Sequence, residues 1–237
     1  MGEVCAFLAS QKLKFHSKNK MREAAVNPYV VTLIMGVVVM ILSGVQFILD
    51  FWGNIISTGS SANTGETSTY IVSSLVFFII YLVISTVLQF GYSSYCLKVA
   101  NRDGSMSYGD LFSSVRYLLK AIGLTLMISV FVLLWCILLV IPGIIAAYRY
   151  SQAIFIMVED PNKGIMQCIH ESKEMMAGHK MEYFILEFSF FFWMLLGGVT
   201  CGLAYIYVYP YMTVTFANYY NHLKPVSVVY ENADTII

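Results

Sequence analysis

IIAAYRYSQAIFIMV, residues 144–158, decides how this chain is folded. It is apolar, but its fifteen residues reach only about 22 Å as a helix, and a membrane core is about 30 Å thick. It also carries Arg149 and Gln152. Pro142-Gly143 stands just before it, a strong turn signal. On one side lies the apolar run 118–141. On the other lies 159–180, where Lys163, Lys173 and Lys180 fall. If 144–158 crosses a membrane, thirteen of the fourteen basic residues share one face and Arg149 lies within the bilayer. If it does not, those three lysines move to the opposite face. The positive-inside rule therefore favours a crossing.

The rest of the chain agrees. Apolar residues make up 58% of its 237 residues and charged residues 12%. A soluble domain has about 25% charged residues and needs that polar surface to cover itself. Net charge is zero, so no basic surface for nucleic acid is implied. Six spans are expected, at 29–51, 70–97, 118–141, 144–158, 181–196 and 199–220. They form one membrane domain over 1–237, with a cytoplasmic segment at 1–28 and a cytoplasmic tail at 221–237. The first span is too long for the core of a cleavable signal and reads as a retained anchor. Between the first two spans, GNIISTGSSANTGETST (53–69) holds no basic residue, and Asp50 and Glu66 are expected near the outer face. The predicted fold is all-α: a polytopic bundle of three helical hairpins.

Each hairpin is preceded by a stretch suited to lie on the membrane. In Ser107–Lys120, residues Tyr108, Leu111, Phe112, Val115, Leu118 and Leu119 recur at helical spacing. Ser107 and Asp110 form a capping-box start. In 161–178, Asp160 is expected to cap, Pro161 to begin the helix and Gly178 to end it. Ile165, Ile169 and Met176 form the apolar stripe. Residues 4–24 are a weaker version. Such interfacial amphipathic helices bury one face at the headgroup boundary and attract anionic lipid through lysine. The alternative is a short connector packed on the bundle.

Seven stretches, in order, resemble a known family. They are GYSSYCLKVA (91–100), SYGDLF (107–112), LLWCILLVIPGIIAAYRYS (133–151), EDP (159–161), ESKEMMAGHK (171–180), FILEFSFFFW (184–193) and YPY (209–211). From about residue 88 onward the chain resembles the bacterial membrane proteins grouped as domain of unknown function 975. The first hairpin matches poorly, and a proline common in the family near Ile154 is missing. The resemblance implies a helical protein of the bacterial inner membrane and no particular reaction. A looser similarity to membrane domains fused to glycerophosphodiester phosphodiesterases points toward lipids.

The candidate polar site inside the membrane is Arg149, Glu187, Gln152 and Gln89. An intramembrane charge costs at least about 2.5–3.5 kcal/mol unless it is paired or wetted. Glu187 is the pairing candidate, although spans beginning at 144 and 181 leave roughly 12 Å between the two Cα levels. A water-lined interior holding both is the second reading, and separate snorkelling is the third. The glutamines also suit interhelical hydrogen bonds. Pro142, Gly143, Gly197, Gly198 and Pro210 are candidate hinges or turns. Tyr205, Tyr207, Tyr209 and Tyr211 flank Pro210 and read as an aromatic belt, with a broken helix lining a site as the alternative. The five cysteines have no metal-ligand spacing, and no cofactor is expected. No nucleophile elbow, Walker loop or zinc-hydrolase pair is present, so an enzyme is not expected. The expected partner is membrane lipid, with no nucleic acid. The expected role is non-enzymatic, on or within the lipid bilayer, in envelope homeostasis or peptide tolerance; a small-solute permease or channel with a polar interior and a membrane scaffold for a partner protein are the alternatives.

Overall fold

The computed structural model describes residues 2–24, 26–59, 64–200 and 202–224. Among them there is no strand. The helices are α1 (Gly2–Glu23), α2 (Pro28–Gly59), α3 (Thr64–Asn101), α4 (Leu118–Leu138), α5 (Val140–Tyr150), α6 (Ala153–Glu159), α7 (Ile165–Met175), α8 (Lys180–Val199) and α9 (Leu203–Leu223). A 3-10 helix, Tyr108–Tyr117, runs directly into α4. Cys201 and the tail from 225 lie outside the described residues.

Among the described residues five stretches are long and apolar enough to cross a membrane: Pro28–Gly53, Ile71–Asn101, Tyr108–Leu138, Val140–Glu159 and Lys180–Val199. The contested segment is among them because its helix begins at Val140, not at 144. It is 20 residues long, which removes the length deficit. α9 is not among the five. It is 21 residues long and carries six tyrosines and two asparagines. Thr215, Asn218, Tyr219 and Tyr220 are buried against protein, so its polarity is sheltered by neighbouring helices.

The helices pack mainly in sequence neighbours: α2 on α3, α4 on α5 and α8 on α9, with α9 also against α1, α2 and α3. One core joins Phe90, Tyr95 and Cys96 of α3, Leu124 of α4, Ile156 and Met157 of α6, and Val214 and Ala217 of α9. A second joins Met176, Tyr183, Leu186 and Phe190 to Val208 and Tyr219. Away from these cores the apolar side chains face outward. Phe47 is 70% exposed and Ile137 is 75% exposed.

Polar contacts tie several helix ends together. Lys20 Nζ donates to the Ala100 carbonyl at 2.6 Å and to Asn218 Oδ1 at 2.7 Å. Arg102 pairs with Glu23 at 2.9 Å, and Asn221 Nδ2 donates to Asn101 Oδ1 at 2.7 Å. Glu159 receives both the Lys224 ammonium and the Tyr220 hydroxyl. Lys120 Nζ donates to the Pro161 carbonyl at 2.8 Å. The ends of α1, α3, α6 and α9 and the beginning of α4 are thereby joined into polar contacts by charged and amide side chains.

Several expectations are corrected. The 107–120 stretch is 3-10 up to Tyr117, and its buried face is Asp110, Leu111 and Ser114. Tyr108, Phe112, Val115 and Leu119 are exposed. The capping box holds: Ser107 Oγ accepts from Gly109 N at 3.2 Å, and Asp110 Oδ2 accepts from Ser107 N at 2.9 Å. Lys98 pairs with the same carboxylate at 2.8 Å. The later helix begins at Ile165, not Pro161. Asp160 Oδ1 accepts from Asn162 N at 3.0 Å, so it builds a turn that competes with a helix start. Gly178 has φ +85°, which suits the predicted stop. The stripe of α7 is buried in protein, since Cys168, Ile169, Ser172 and Met176 are all buried.

The hinge residues are also reassigned. The bend between α4 and α5 is at Leu139, whose backbone is extended. Pro142 lies in the first turn of α5, where its missing N–H costs nothing. Gly143 is a close approach: a Cβ there would stand 2.1 Å from Cys136 Sγ. Gly197 and Gly198 lie inside α8. The Tyr205 ring occupies the space a Gly197 Cβ would need, at 2.8 Å. The bend follows at Thr200, with Gly202 at φ +91°. Gly202 N donates back to the Gly197 carbonyl at 2.9 Å. Pro210 is buried in a continuous α9 and ends no helix.

Candidate functional site

α5 and α6 are separated by a break at Ser151–Gln152. A break inside an apolar helix frees backbone groups that must find partners where water is absent. One side chain of α7 supplies both partners. Ser172 Oγ donates to the Arg149 carbonyl at 2.9 Å and accepts from Gln152 N at 3.2 Å. Ser151 Oγ donates to the Tyr148 carbonyl at 2.9 Å and accepts from Gln152 Nε2 at 2.9 Å. Gln152 is fully buried. Its Oε1 has no hydrogen-bond partner among the described residues, a cost of about 1–3 kcal/mol for such a group. That leaves an acceptor available to a buried water or a donor.

The four predicted polar residues do not converge. Arg149 is half-buried at the end of α5, and its side chain forms no ion pair with Glu187 within 4.0 Å. Glu187 is exposed on α8 and lies beside the Tyr148 hydroxyl. Gln89 is exposed on α3. Only Arg149 and Gln152 share the break. The two segments do lie alongside one another: the Tyr148 ring is 5.7 Å from Tyr183 and 6.2 Å from Phe184. The separation expected from spans starting at 144 and 181 is reduced because α5 begins at Val140.

The tyrosines near Pro210 divide between two roles. Tyr205 and Tyr207 are exposed, and Tyr207 stacks on Tyr29 at 5.6 Å. Tyr209 packs on Tyr92 at 5.3 Å and Tyr211 on Phe190 at 5.4 Å. The first pair faces outward as a belt would, and the second faces the core.

Two features are not readable as sites from the sequence. Ser172 is one. Its position was available from spacing, because 165, 169, 172 and 176 fall on one helical face. The other is a cavity of about 560 Å³ between α1, the beginning of α2, α8 and α9. Lys14, Lys18 and Arg22 line it from α1. Burial lowers the Lys14 pKa, and Lys20 is lowered by burial and then by Arg102. A wider cavity of about 950 Å³ lies beside Arg116, Lys120, Pro161 and Asn162. Neither cavity is lined by Arg149, Gln152, Glu187 or Gln89. Among the described residues no three His, Cys, Asp or Glu side chains cluster to hold a metal ion.

Residues 136–227 match the family model described as Protein of unknown function (DUF975). This part of the chain is similar to that family. No curated protein and no solved structure matches the chain. The DUF975 region takes in the break with Arg149 and Gln152, the α7 plug with Ser172, Glu187 and Pro210. It begins at 136, not near 88, and leaves out α1 to α3, the 3-10 helix and nearly all of α4, and with them Gln89 and the GYSSYCLKVA and SYGDLF stretches. The helices that meet at the break thus all lie within the DUF975 region.

Proposed function

We propose that this is a non-enzymatic, multi-pass protein of the bacterial inner membrane that acts on or within the lipid layer. In this reading it crosses six times, in three hairpins, with both termini cytoplasmic. The observation that carries it is the outward-facing apolar surface. Phe47, Trp52, Leu134, Ile137, Phe192 and Leu195 are all exposed large apolar side chains, on a scale that water does not tolerate and lipid does.

Three further observations support the topology. The polar contacts joining the ends of α3, α6 and α9 to the beginning of α4 fit a single cytoplasmic face. The 21 residues of α9 reach about 32 Å, and its polar groups are screened by protein. The 3-10 helix exposes Tyr108, Phe112 and Val115 and carries Arg116, a combination suited to the headgroup boundary. A permease needs a polar path joining Arg149 and Glu187, and neither cavity touches them. The lipid reading is therefore preferred. The experiment is flotation of the purified protein with liposomes, together with analysis of copurified lipid. Enrichment of anionic phospholipid is expected. Indifference to anionic lipid in both assays would remove the reading.

A further inference from the structure

The cavity between α1, α8 and α9 has an uneven lining. Lys14, Lys18 and Arg22 recur at every fourth residue of α1 and bring three cationic side chains to it. Among the described residues no carboxylate lines it. Among the same residues none of the three cations takes part in an ion pair, whereas Arg102, Lys98, Lys163 and Lys224 each have an acidic partner. Lys14 is half-buried, Lys18 and Arg22 are exposed, and three like charges gathered on one wall repel one another unless an anion lies between them. Lys14 shows the cost: burial lowers its pKa, and its ammonium rests over the Phe190 ring at 4.4 Å.

The opposite wall is apolar and aromatic. Tyr29, Trp193, Tyr207 and Val208 line it. Such rings favour the boundary between headgroup and hydrocarbon. Ser189 also lines the cavity. Its Oγ is itself buried, without a hydrogen-bond partner among the described residues. Cations at one wall and rings with an aliphatic side chain at the other match the two ends of an amphiphile.

We propose that this cavity binds one anionic phospholipid. The phosphate is held by Lys14, Lys18 and Arg22, and the acyl portion lies along Trp193 and Val208. The proposal rests on the lipid-layer reading above and names its ligand class. It also gives α1 a function. A helix with five basic residues packs against α8 and α9 because the lipid neutralises the face it presents.

The test uses the full-length protein in detergent micelles doped with phosphatidylglycerol or with phosphatidylcholine, read by native mass spectrometry. The variant is Lys14→Gln, Lys18→Gln, Arg22→Gln. The control removes three cations elsewhere, by Lys163→Gln, Lys173→Gln and Lys180→Gln. Wild type should retain one phosphatidylglycerol in preference to phosphatidylcholine. The α1 variant should lose that retention on the order of tenfold or more, and the control should not, since each basic residue near anionic lipid contributes about 1 kcal/mol. A second readout does not depend on the α1 variant's stability. In a Trp52→Phe, Trp135→Phe background, phosphatidylglycerol with brominated acyl chains should quench Trp193, and soluble glycerol phosphate should not protect against quenching. Equal retention by the α1 variant and wild type would overturn the site while leaving the lipid reading intact. A wild type that retains neither lipid would overturn both. Protection by glycerol phosphate would assign the cavity to a soluble anion and overturn the phospholipid proposal.

Discussion

Gly91 offers the sharpest test of the packing. It lies in α3 against the backbone of the 3-10 helix. A Cβ built on it would stand 1.9 Å from the Leu111 carbonyl oxygen, 2.4 Å from its carbon and 2.7 Å from its Cα. These are main-chain atoms, so no side chain can rotate away. The 3-10 helix would have to retreat by about 1.5 Å to reach ordinary contact. It is held by the Lys98–Asp110 pair, by Ser114 Oγ donating to the Val87 carbonyl at 3.3 Å, and by buried Leu111. Replacing a mid-helix glycine by alanine gains about 1 kcal/mol in helix propensity. Overpacking costs typically 1–3 kcal/mol, occasionally more, and the displaced 3-10 contacts add about 1 kcal/mol each. The clash therefore outweighs the propensity gain, and Gly91→Ala should destabilise by about 2–4 kcal/mol. At about 2–4 °C per kcal/mol for a chain of this size, Tm should fall by roughly 4–16 °C. Gly44 is the control, because nothing lies within 4 Å of its added Cβ. Gly44→Ala should leave Tm unchanged or raise it slightly. Tryptophan fluorescence melts of both variants in one detergent make the comparison. A Gly91→Ala protein that melts at or above wild type would refute the reasoning.

Three other outcomes are expected. Ser172→Ala orphans the Arg149 carbonyl and the Gln152 N–H together, and should cost about 1–2 kcal/mol, allowing for the weaker penalties measured in membranes; an unchanged melt would mean the break is satisfied otherwise. Backbone and side-chain hydrogen bonds from Ser105 hold the Asp103 carboxyl below its ordinary value of 3.8. The folded state therefore binds that proton less readily, and the contribution is present above 3.8 and lost as pH falls through the folded value. Asp103→Asn should flatten the acid limb of a stability–pH curve slightly, because the group is exposed; a steeper limb would contradict this. Cys96 and Cys168 are buried free thiols, and burial raises the Cys168 pKa. Both should resist maleimide in the folded protein and react after unfolding, and rapid labelling of native Cys168 would show that α7 is not seated as described.

Much of this architecture was legible because a membrane restricts backbone to helices, and helices announce themselves by composition and period. The Ser107–Asp110 box and the Gly178 stop were readable because each is a local device acting within a few residues. What failed depended on contacts between distant residues. Pro142-Gly143 signals a turn by composition, but proline is equally at home in a helix's first turn, and only the approach of Cys136 explains Gly143. Gly197 is likewise explained by the Tyr205 ring. The apolar spacing of 107–120 suits a 3-10 helix as well as an α-helix. Gln89 and Glu187 face outward because the packing of α3 and α8 turns those faces from the core, and no single-helix pattern contains that information. The cationic cavity is invisible in sequence because its walls come from segments about 170 residues apart.

The six-crossing account stands or falls on where the connection between α7 and α8 lies. A reporter inserted after Gly178, where the backbone already turns and nothing beyond its chain neighbours lies within 4 Å of an added Cβ, reads this directly. With paired phosphatase and fluorescent-protein insertions, the account predicts fluorescence without phosphatase activity, which places the loop in the cytoplasm. Phosphatase activity without fluorescence would put Lys163, Lys173 and Lys180 outside and show that Val140–Glu159 does not cross.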